Sequence, residues 1–289
     1  MTEMKPPSGL TPVPLPADSR HARQLARRQL ITEAVMAEGS MRIEDLVDRF
    51  GISLMTAHRD LDELVARGLL RKARGIVSAA PTSLIEASDV YRFSRQSAEK
   101  RALAAAAMQF VEPGQAVFFD DSTTVLQMAA HLSAKVPLTA ITNSLILMNE
   151  LNGIRDLTLL GLGGQLHNWC NAFMGRMTTN EIKRLRADTL FLSMPAITDD
   201  IVFHQSPEMV ETKRAMFDSA QRRILLADHT KFGRRALHAF ADLTEFDVVI
   251  VDQATDAAHI SRMRAKGINV VIASDAVARI ETDAEADQM

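Results

Sequence analysis

From Arg23 to Gly39 the apolar residues Leu30, Ile31, Ala34 and Val35 return at helical spacing, and Gly39 is placed to end that helix. A second short helix is predicted from Ile43 to Phe50, with Ile43, Leu46, Val47 and Phe50 on one face. Gly51 then turns the chain, and Ser53 stands where an N-cap is wanted. The spacing predicts a third helix from about Leu54 to Arg67 that buries Ala57, Leu61, Leu64 and Val65 and turns Met55, Thr56, Arg59 and Asp62 outward. Gly68 closes it. Leu69 to Lys72 and Ile76 to Ala79, separated by Ala73, Arg74 and Gly75, read as a short hairpin.

The period changes further on. A helical stretch from Leu84 to Val111, with the run Ala104 to Ala107, ends at Glu112-Pro113-Gly114 and reads as a connecting helix. Beyond it, Ala116 to Asp120, Leu138 to Asn143, Leu157 to Leu162, Thr189 to Met194, Arg223 to Asp228, Val248 to Asp252 and Ile268 to Ser274 are β-rich runs. Between them lie amphipathic stretches such as Val125 to Leu132, Met209 to Ala220 and Ala257 to Lys266. This alternation predicts an α/β domain whose largely parallel sheet is covered by helices.

Pro6, Pro7, Pro12, Pro14 and Pro16 fix too many backbone angles for a helix or an inner strand, so residues 1–19 read as a disordered arm. Residues 281–289 read as an acidic tail. The expected organisation is therefore the arm, a helical domain over 20–80, the connecting helix over 84–111, the α/β domain over 112–280, and the tail. A length of 289 residues suits two domains, and 47% apolar with 24% charged residues excludes a fibrous or largely disordered chain. No apolar run approaches the roughly 20 residues of a membrane helix, and the N-terminus lacks a signal-peptide layout, so a cytoplasmic location is expected. The single cysteine, Cys170, supports neither an internal disulfide nor a cysteine-based zinc site.

A net charge of −3 taken alone disfavours a nucleic-acid partner, but it hides an asymmetry. Residues 20–80 hold 11 Lys/Arg against 8 Asp/Glu, a local excess of three positive charges. Basic residues gather at the start of the stretch, as Arg20, Arg23, Arg27 and Arg28, and at its end, as Arg71, Lys72 and Arg74. A solvated charged face accounts for such charges by itself. Three helices with a tight turn before the third and a basic hairpin after it nevertheless describe a winged helix-turn-helix, whose third helix fits a DNA major groove. A generic three-helix core explains the apolar spacing equally well. It does not explain outward Thr56 and Arg59 beside a basic wing. Arg27, Arg28, Ser53, Met55, Thr56, His58, Arg59, Arg71, Lys72 and Arg74 are the candidate DNA contacts.

The stretch from Arg27 to Ala80, with Leu46, Phe50, Ser53, Thr56, Arg59, Asp60, Leu61 and Leu64, resembles the N-terminal domain of DeoR-type bacterial transcription regulators. In that family a Ser-x-x-Thr-x-Arg-Arg-Asp-Leu string forms the recognition helix. Here His58 replaces the first of the paired arginines, which removes a cation able to fork onto a guanine edge. Ala73-Arg74-Gly75 stands where the family usually has His-Gly-Gly.

In the α/β domain several apolar strands end in a polar residue: Asp120, Asn143, Ser193 and Asp228. Ligands bind at the carboxyl edge of open α/β sheets, so these side chains mark the expected pocket. Asp120-Asp121-Ser122-Thr123-Thr124 leads from a strand into hydroxyl residues at a predicted helix start, where free N–H groups favour an anion such as phosphate. Plain N-capping explains the same hydroxyls. Gly161-Leu162-Gly163-Gly164 follows a strand, but Gln165 to Asn171 reads as loop rather than the helix a dinucleotide fingerprint needs. Lys213 and Lys231 can meet a phosphate or sugar hydroxyl, or can simply be solvated. His131, His167, His204, His229 and His238 show no close metal-ligand spacing, so no metal site is expected. Trp169 and Cys170 fall on a predicted loop near the pocket, where they can shape ligand selectivity or simply pack, and no cofactor is expected.

These segments are similar to the effector-sensing domain of the same family, and the resemblance spans residues 23–275. It implies a fold like that of ribose-5-phosphate isomerase and a response to phosphorylated sugars or related metabolites. By that resemblance the candidate effector residues are Asp120, Ser122, Thr123, Thr124, Asn143, Gly163, Gly164, Glu211, Lys213, Asp228 and Lys231; Thr142, Gly175, Arg214, Phe232 and Gly233 match as well. Ser144 departs from a common second Asn, and Ser193-Met194-Pro195-Ala196 departs from a glycine-containing strand end. The function implied is a repressor of carbohydrate-metabolism genes that acts as a dimer or tetramer, is released by its effector and is not an enzyme. Two alternatives are a sugar-phosphate isomerase using Asp120, Asp121 or Asp228 as general base, and a regulator sensing NAD instead.

Overall fold

The computed structural model describes residues 24, 27, 28, 30–32, 34, 35, 38–66, 70–79 and 96–274, so the expected arm and tail and the whole stretch 80–95 lie outside the described residues. The chain divides into two compact units, Met1–Val65 with Leu70–Ala79, and the remainder.

In the first unit the described positions from 24 to 38 are helical, and Ile31, Ala34 and Val35 are buried. Leu30, assigned to the apolar face, is exposed instead. A strand not foreseen in the sequence follows, β1 (Ser40–Arg42). Three residues with only Met41 turned inward give no readable alternation. Helix α1 (Ile43–Phe50) ends at Gly51, whose left-handed backbone (φ 60°) directs its N–H to Val47 O. Helix α2 (Leu54–Ala66) buries Ala57, Leu61 and Leu64, while Val65 is exposed, contrary to the spacing. Strands β2 (Leu70–Ala73) and β3 (Ile76–Ala79) form the wing, and β1 joins it in the order β1-β3-β2.

The angle at which α2 meets the leading helix is fixed by a charge. Asp60 on the inner face of α2 is 1% exposed and accepts from Arg27 Nε at 2.7 Å and Arg28 Nε at 2.9 Å. Burial alone would raise the Asp60 carboxyl, but hydrogen bonds and charge from the two arginines outweigh it and hold the group below the usual carboxylate range.

The second unit is built on a seven-stranded, wholly parallel sheet in the order β15-β14-β12-β9-β4-β5-β6. Its strands are β4 (Ala116–Phe119), β5 (Leu138–Thr142), β6 (Leu157–Gly161), β9 (Ala187–Leu192), β12 (Ala220–Ala227), β14 (Val248–Val251) and β15 (Val270–Ile272). Each overlaps one of the seven predicted runs. Side chains alternate between two cores. Phe118, Leu190, Leu225 and Val249 face one, under α6 (Arg176–Ile182), α7 (Pro207–Asp218) and α8 (Ala257–Ala265). Phe119, Phe191, Leu226 and Ile250 face the other, under α3 (Ser97–Ala107), which contributes Ala102, Leu103, Ala104 and Ala107. The described part of the predicted 84–111 helix is therefore a wall of this domain.

Four-residue helix α4 (Ala129–Leu132) and α5 (Leu145–Leu151) complete the helices, α5 and α6 being unforeseen. A hairpin, β7 (Gln165–His167) with β8 (Ala172–Met174), occupies the segment read as loop. Strands β10 (Ala196–Thr198), β11 (Ile201–His204) and β13 (His238–Asp242) make a separate antiparallel sheet that the sequence did not announce. No helix among the described residues is long and apolar enough to cross a membrane.

Removing the Asp60 carboxylate takes away the acceptor shared by Arg27 and Arg28. Asp60→Ala is expected to destabilise the first unit by about 2 kcal/mol in urea titrations. Because the folded-state pKa is lowered, the wild-type contribution is present above the unfolded value near about 4 and fades as pH falls through the folded value, so Asp60→Asn should flatten that acid limb.

Candidate functional site

Helix α2 spans 13 residues, about 20 Å, and presents one polar end. Ser53 caps it: the hydroxyl accepts from Thr56 N at 3.2 Å and lies 2.8 Å from Thr56 Oγ1. Met55 is 82% exposed, Arg59 is exposed with no ion pair among the described residues, and Thr56 and His58 are half-buried on the flank. The wing adds Arg71 and Arg74, both exposed. Lys72 differs, since its ammonium is held by Asp62 of α2 at 2.6 Å and so ties wing to helix. Arg27 and Arg28 differ as well. Both are engaged by Asp60, and Arg28 is only 13% exposed, so their guanidinium groups orient the helix instead of facing outward with Arg59.

In the sheet domain β4, β5 and β6 step one way from the centre while β9, β12, β14 and β15 step the other way. The order therefore reverses between β4 and β9, the position at which open α/β sheets place a ligand at the carboxyl ends of their strands. Asp120 follows β4 there. Its Oδ2 accepts from Lys213 Nζ at 2.6 Å and from Ser193 N at 3.0 Å; its Oδ1 accepts from Ser122 N at 2.9 Å and Ser122 Oγ at 2.5 Å. Lys213 reaches down from α7, lies 3.1 Å from Asp121 Oδ1, and donates to Ser193 O at 3.1 Å. Asp120 to Thr124 are all nearly inaccessible, as is Lys213 at 2% exposure. Asp121 and Ser193 belong to this cluster although the resemblance did not select them; the doubled acid and the polar strand end were the available signals.

Beside it, Asn143 at the end of β5 donates through Nδ2 to Phe173 O of β8 at 3.0 Å, while its Oδ1 is buried with no hydrogen-bond partner among the described residues. Ser122 does not open an α-helix, as the predicted anion site required. The chain passes into a 3-10 turn over Val125–Met128 and then the one-turn α4, so no helix dipole of useful length points at the hydroxyls. What remains for an anion is loop N–H and hydroxyl groups.

Other predicted effector residues lie elsewhere. Glu211 is two residues from Lys213 and so on the opposite side of α7, lining a cleft of about 530 Å³ with Lys183, Arg214 and Leu237. Gly163 O accepts from Thr178 Oγ1 at 2.8 Å, and a Cβ on Gly164 would lie 2.2 Å from that oxygen, so close approach of α6 dictates the glycine. Both glycines border a second cleft of about 310 Å³ with Met177 and Arg184. Asp228 follows β12, two strands from β4 and so about 10 Å away. It caps the turn His229–Lys231 through Thr230 N at 3.0 Å and sits 3.4 Å from Lys231. Burial pushes its carboxyl up, but the charge of Lys231, the Thr230 hydrogen bonds and the charge of Lys100 hold it below the ordinary range. Trp169 packs against a small apolar cluster of Cys170, Ala172, Met174 and Met209.

The family model described as "DeoR-like helix-turn-helix domain" matches residues 27–82, and that described as "DeoR C terminal sensor domain" matches residues 95–253. The chain is 32% identical over 256 residues to the HTH-type transcriptional regulator GlpR of Haloferax volcanii, covering 88% of this chain and 98% of that one. It is 28% identical over 253 residues to the putative aga operon transcriptional repressor of Escherichia coli O157:H7, covering 86% and 94%. With the lactose phosphotransferase system repressor of Staphylococcus epidermidis it shares 32% identity over 227 residues, covering 77% and 89%. Among solved structures, ribose 5-phosphate isomerase A of Methanocaldococcus jannaschii is similar at a TM-score of 0.35 and 13% identity over 48% of this chain and 55% of that one, a distant likeness that assigns no reaction. The protein belongs to the DeoR family of transcription regulators, with a helix-turn-helix DNA-binding domain followed by a small-molecule sensor domain.

Lys213 neutralises two buried carboxylates, so Lys213→Met is expected to cost about 3 kcal/mol in chemical denaturation of the full chain. Replacing Asp120 and Asp121 by Asn in the same variant should restore a large part of it.

Proposed function

We infer that this protein is a repressor of carbohydrate-metabolism genes that binds operator DNA as a dimer or tetramer and releases it when a phosphorylated sugar or related metabolite enters the crevice between β4 and β9. The polar cluster at the strand-order reversal carries this reading: Asp120, Asp121, Ser122 and Lys213 are gathered out of solvent beside an Asn143 carbonyl that lacks a donor. A polyol suits it, because hydroxyl donors can satisfy Asn143 Oδ1 and compete for the Asp120 and Asp121 oxygens. Ser122, Thr123 and Thr124 supply hydroxyls and loop N–H groups for the phosphate, and Lys213 supplies a cation once it is drawn from its carboxylates. Asp228 and Lys231, two strands away, are assigned to holding the rim.

Because the cluster is closed and internally paired, a ligand that enters must rearrange it. The ligand then prefers a conformation different from the resting one, which is the requirement for coupling to DNA release. Two relatives whose names refer to the aga operon and to the lactose phosphotransferase system support a carbohydrate setting. At the DNA face Met55, Thr56, His58 and Arg59 are assigned to base edges, Arg71 and Arg74 to phosphates, and Ser53 to the cap that aims them. Arg27, Arg28 and Lys72 are assigned to holding α2 and the wing in place.

Gel shifts on the protein's own upstream region should show preference over random DNA, with affinity falling at a log-log salt slope near about −5 for about six neutralised phosphates. Arg59→Ala should lower the specific affinity by about 10-fold or more and leave stability unchanged. In thermal-shift screening a phosphorylated sugar should raise the melting temperature and release the shifted band. Absence of any operator preference would overturn the DNA assignment, whereas a metabolite that stabilises the protein without releasing DNA would overturn the direction of control.

A further inference from the structure

We propose that the sensor domain carries a divalent transition-metal site formed by Glu99, His229 and Asp252. Glu99 lies in the first turn of α3, His229 opens the turn after β12, and Asp252 follows β14. The fold brings one donor atom of each within 4.8 Å of the other two, at the carboxyl edge of the sheet beside Asp228 and Lys231 and two strands from β4.

The donors are held as ligands should be. Asp252 is 3% exposed, and its Oδ1 accepts from His229 N at 2.9 Å and Thr255 Oγ1 at 2.7 Å, which aims Oδ2 at the imidazole. His229 Nδ1 stands 2.6 Å from that Oδ2. Glu99 is half-buried and makes no hydrogen bond or ion pair among the described residues. Two carboxylates thus face one imidazole, and a cation bound by all three replaces the direct His229–Asp252 contact, with Nδ1 and Oδ2 parting from 2.6 Å to about 3.3 Å, as bonds of about 2.0 Å at a tetrahedral angle require. One nitrogen and two oxygens suit zinc or manganese better than the all-oxygen preference of magnesium and calcium. The three ligands come from distant parts of the chain, so no spacing in the sequence could disclose them. Metal there would fasten the first turn of α3 to the ends of β12 and β14.

The test uses untagged, chelator-treated full-length protein titrated with Zn²⁺, Mn²⁺ or Mg²⁺, followed by melting temperature and by the metal retained after gel filtration. Zn²⁺ or Mn²⁺ should be retained at one ion per chain and raise the melting temperature by roughly 5 °C at a hundredfold excess over the dissociation constant. Glu99→Gln, which disturbs no existing bond, should abolish both effects, and His229→Gln should do the same. A wild-type chain that neither retains metal nor responds to it, or a Glu99→Gln variant that still does both, overturns the site. A response to Mg²⁺ equal to that for Zn²⁺ overturns the choice of ion class.

Discussion

An ammonium group taken out of water needs compensating charge at close range, and Lys213 obtains it from two carboxylates at once. That constraint draws three separate pieces of chain to one point: the end of β4 with its double acid, the end of β9 through the Ser193 backbone, and α7, which carries the lysine. The same point is where strand order reverses. The resting sensor is therefore a satisfied polar core lodged where an open α/β sheet ordinarily offers a crevice, and any ligand competes with bonds already made.

The first unit repeats the device with the signs exchanged. There a single buried carboxylate, Asp60, is matched by two cations from the leading helix. Its effect is directional: α2 cannot roll without stranding a charge, so the exposed row of Met55 and Arg59 keeps its bearing. In both units a costly buried ion pair stands directly behind the surface or cluster proposed to carry function, and in both the pair fixes orientation more than it adds net stability.

Much of the architecture was legible because parallel strands covered on both faces write apolar runs, as β4, β9 and β14 do. The polar residues closing those runs marked the carboxyl edge, which is why Asp120 and Asn143 could be named. Strands of three to five residues, such as β1, β10, β11 and β13, hold too few residues for a period to emerge. Charge was ambiguous for another reason. Composition cannot separate an arginine that meets DNA from one that meets Asp60, and only the fold showed Arg27 and Arg28 to be the second kind. Glu211 was grouped with Lys213 by family resemblance, yet two steps along a helix turn a side chain to the far side. Ser193 enters through its peptide group, for which a side-chain motif gives no sign.

The tip of the wing turns on Arg74 and Gly75, both in the left-handed region with φ of 49° and 76°. Two consecutive residues of that hand match the natural twist of a two-residue hairpin, so the turn is stiff, and the arginine occupies a position that glycine or asparagine would fill more comfortably. The guanidinium is consequently mounted on a backbone with little freedom left to lose. A cation presented in this way surrenders less entropy when it meets a polyanion than one on a slack loop, and a modest local excess of charge can then grip more firmly than its number implies.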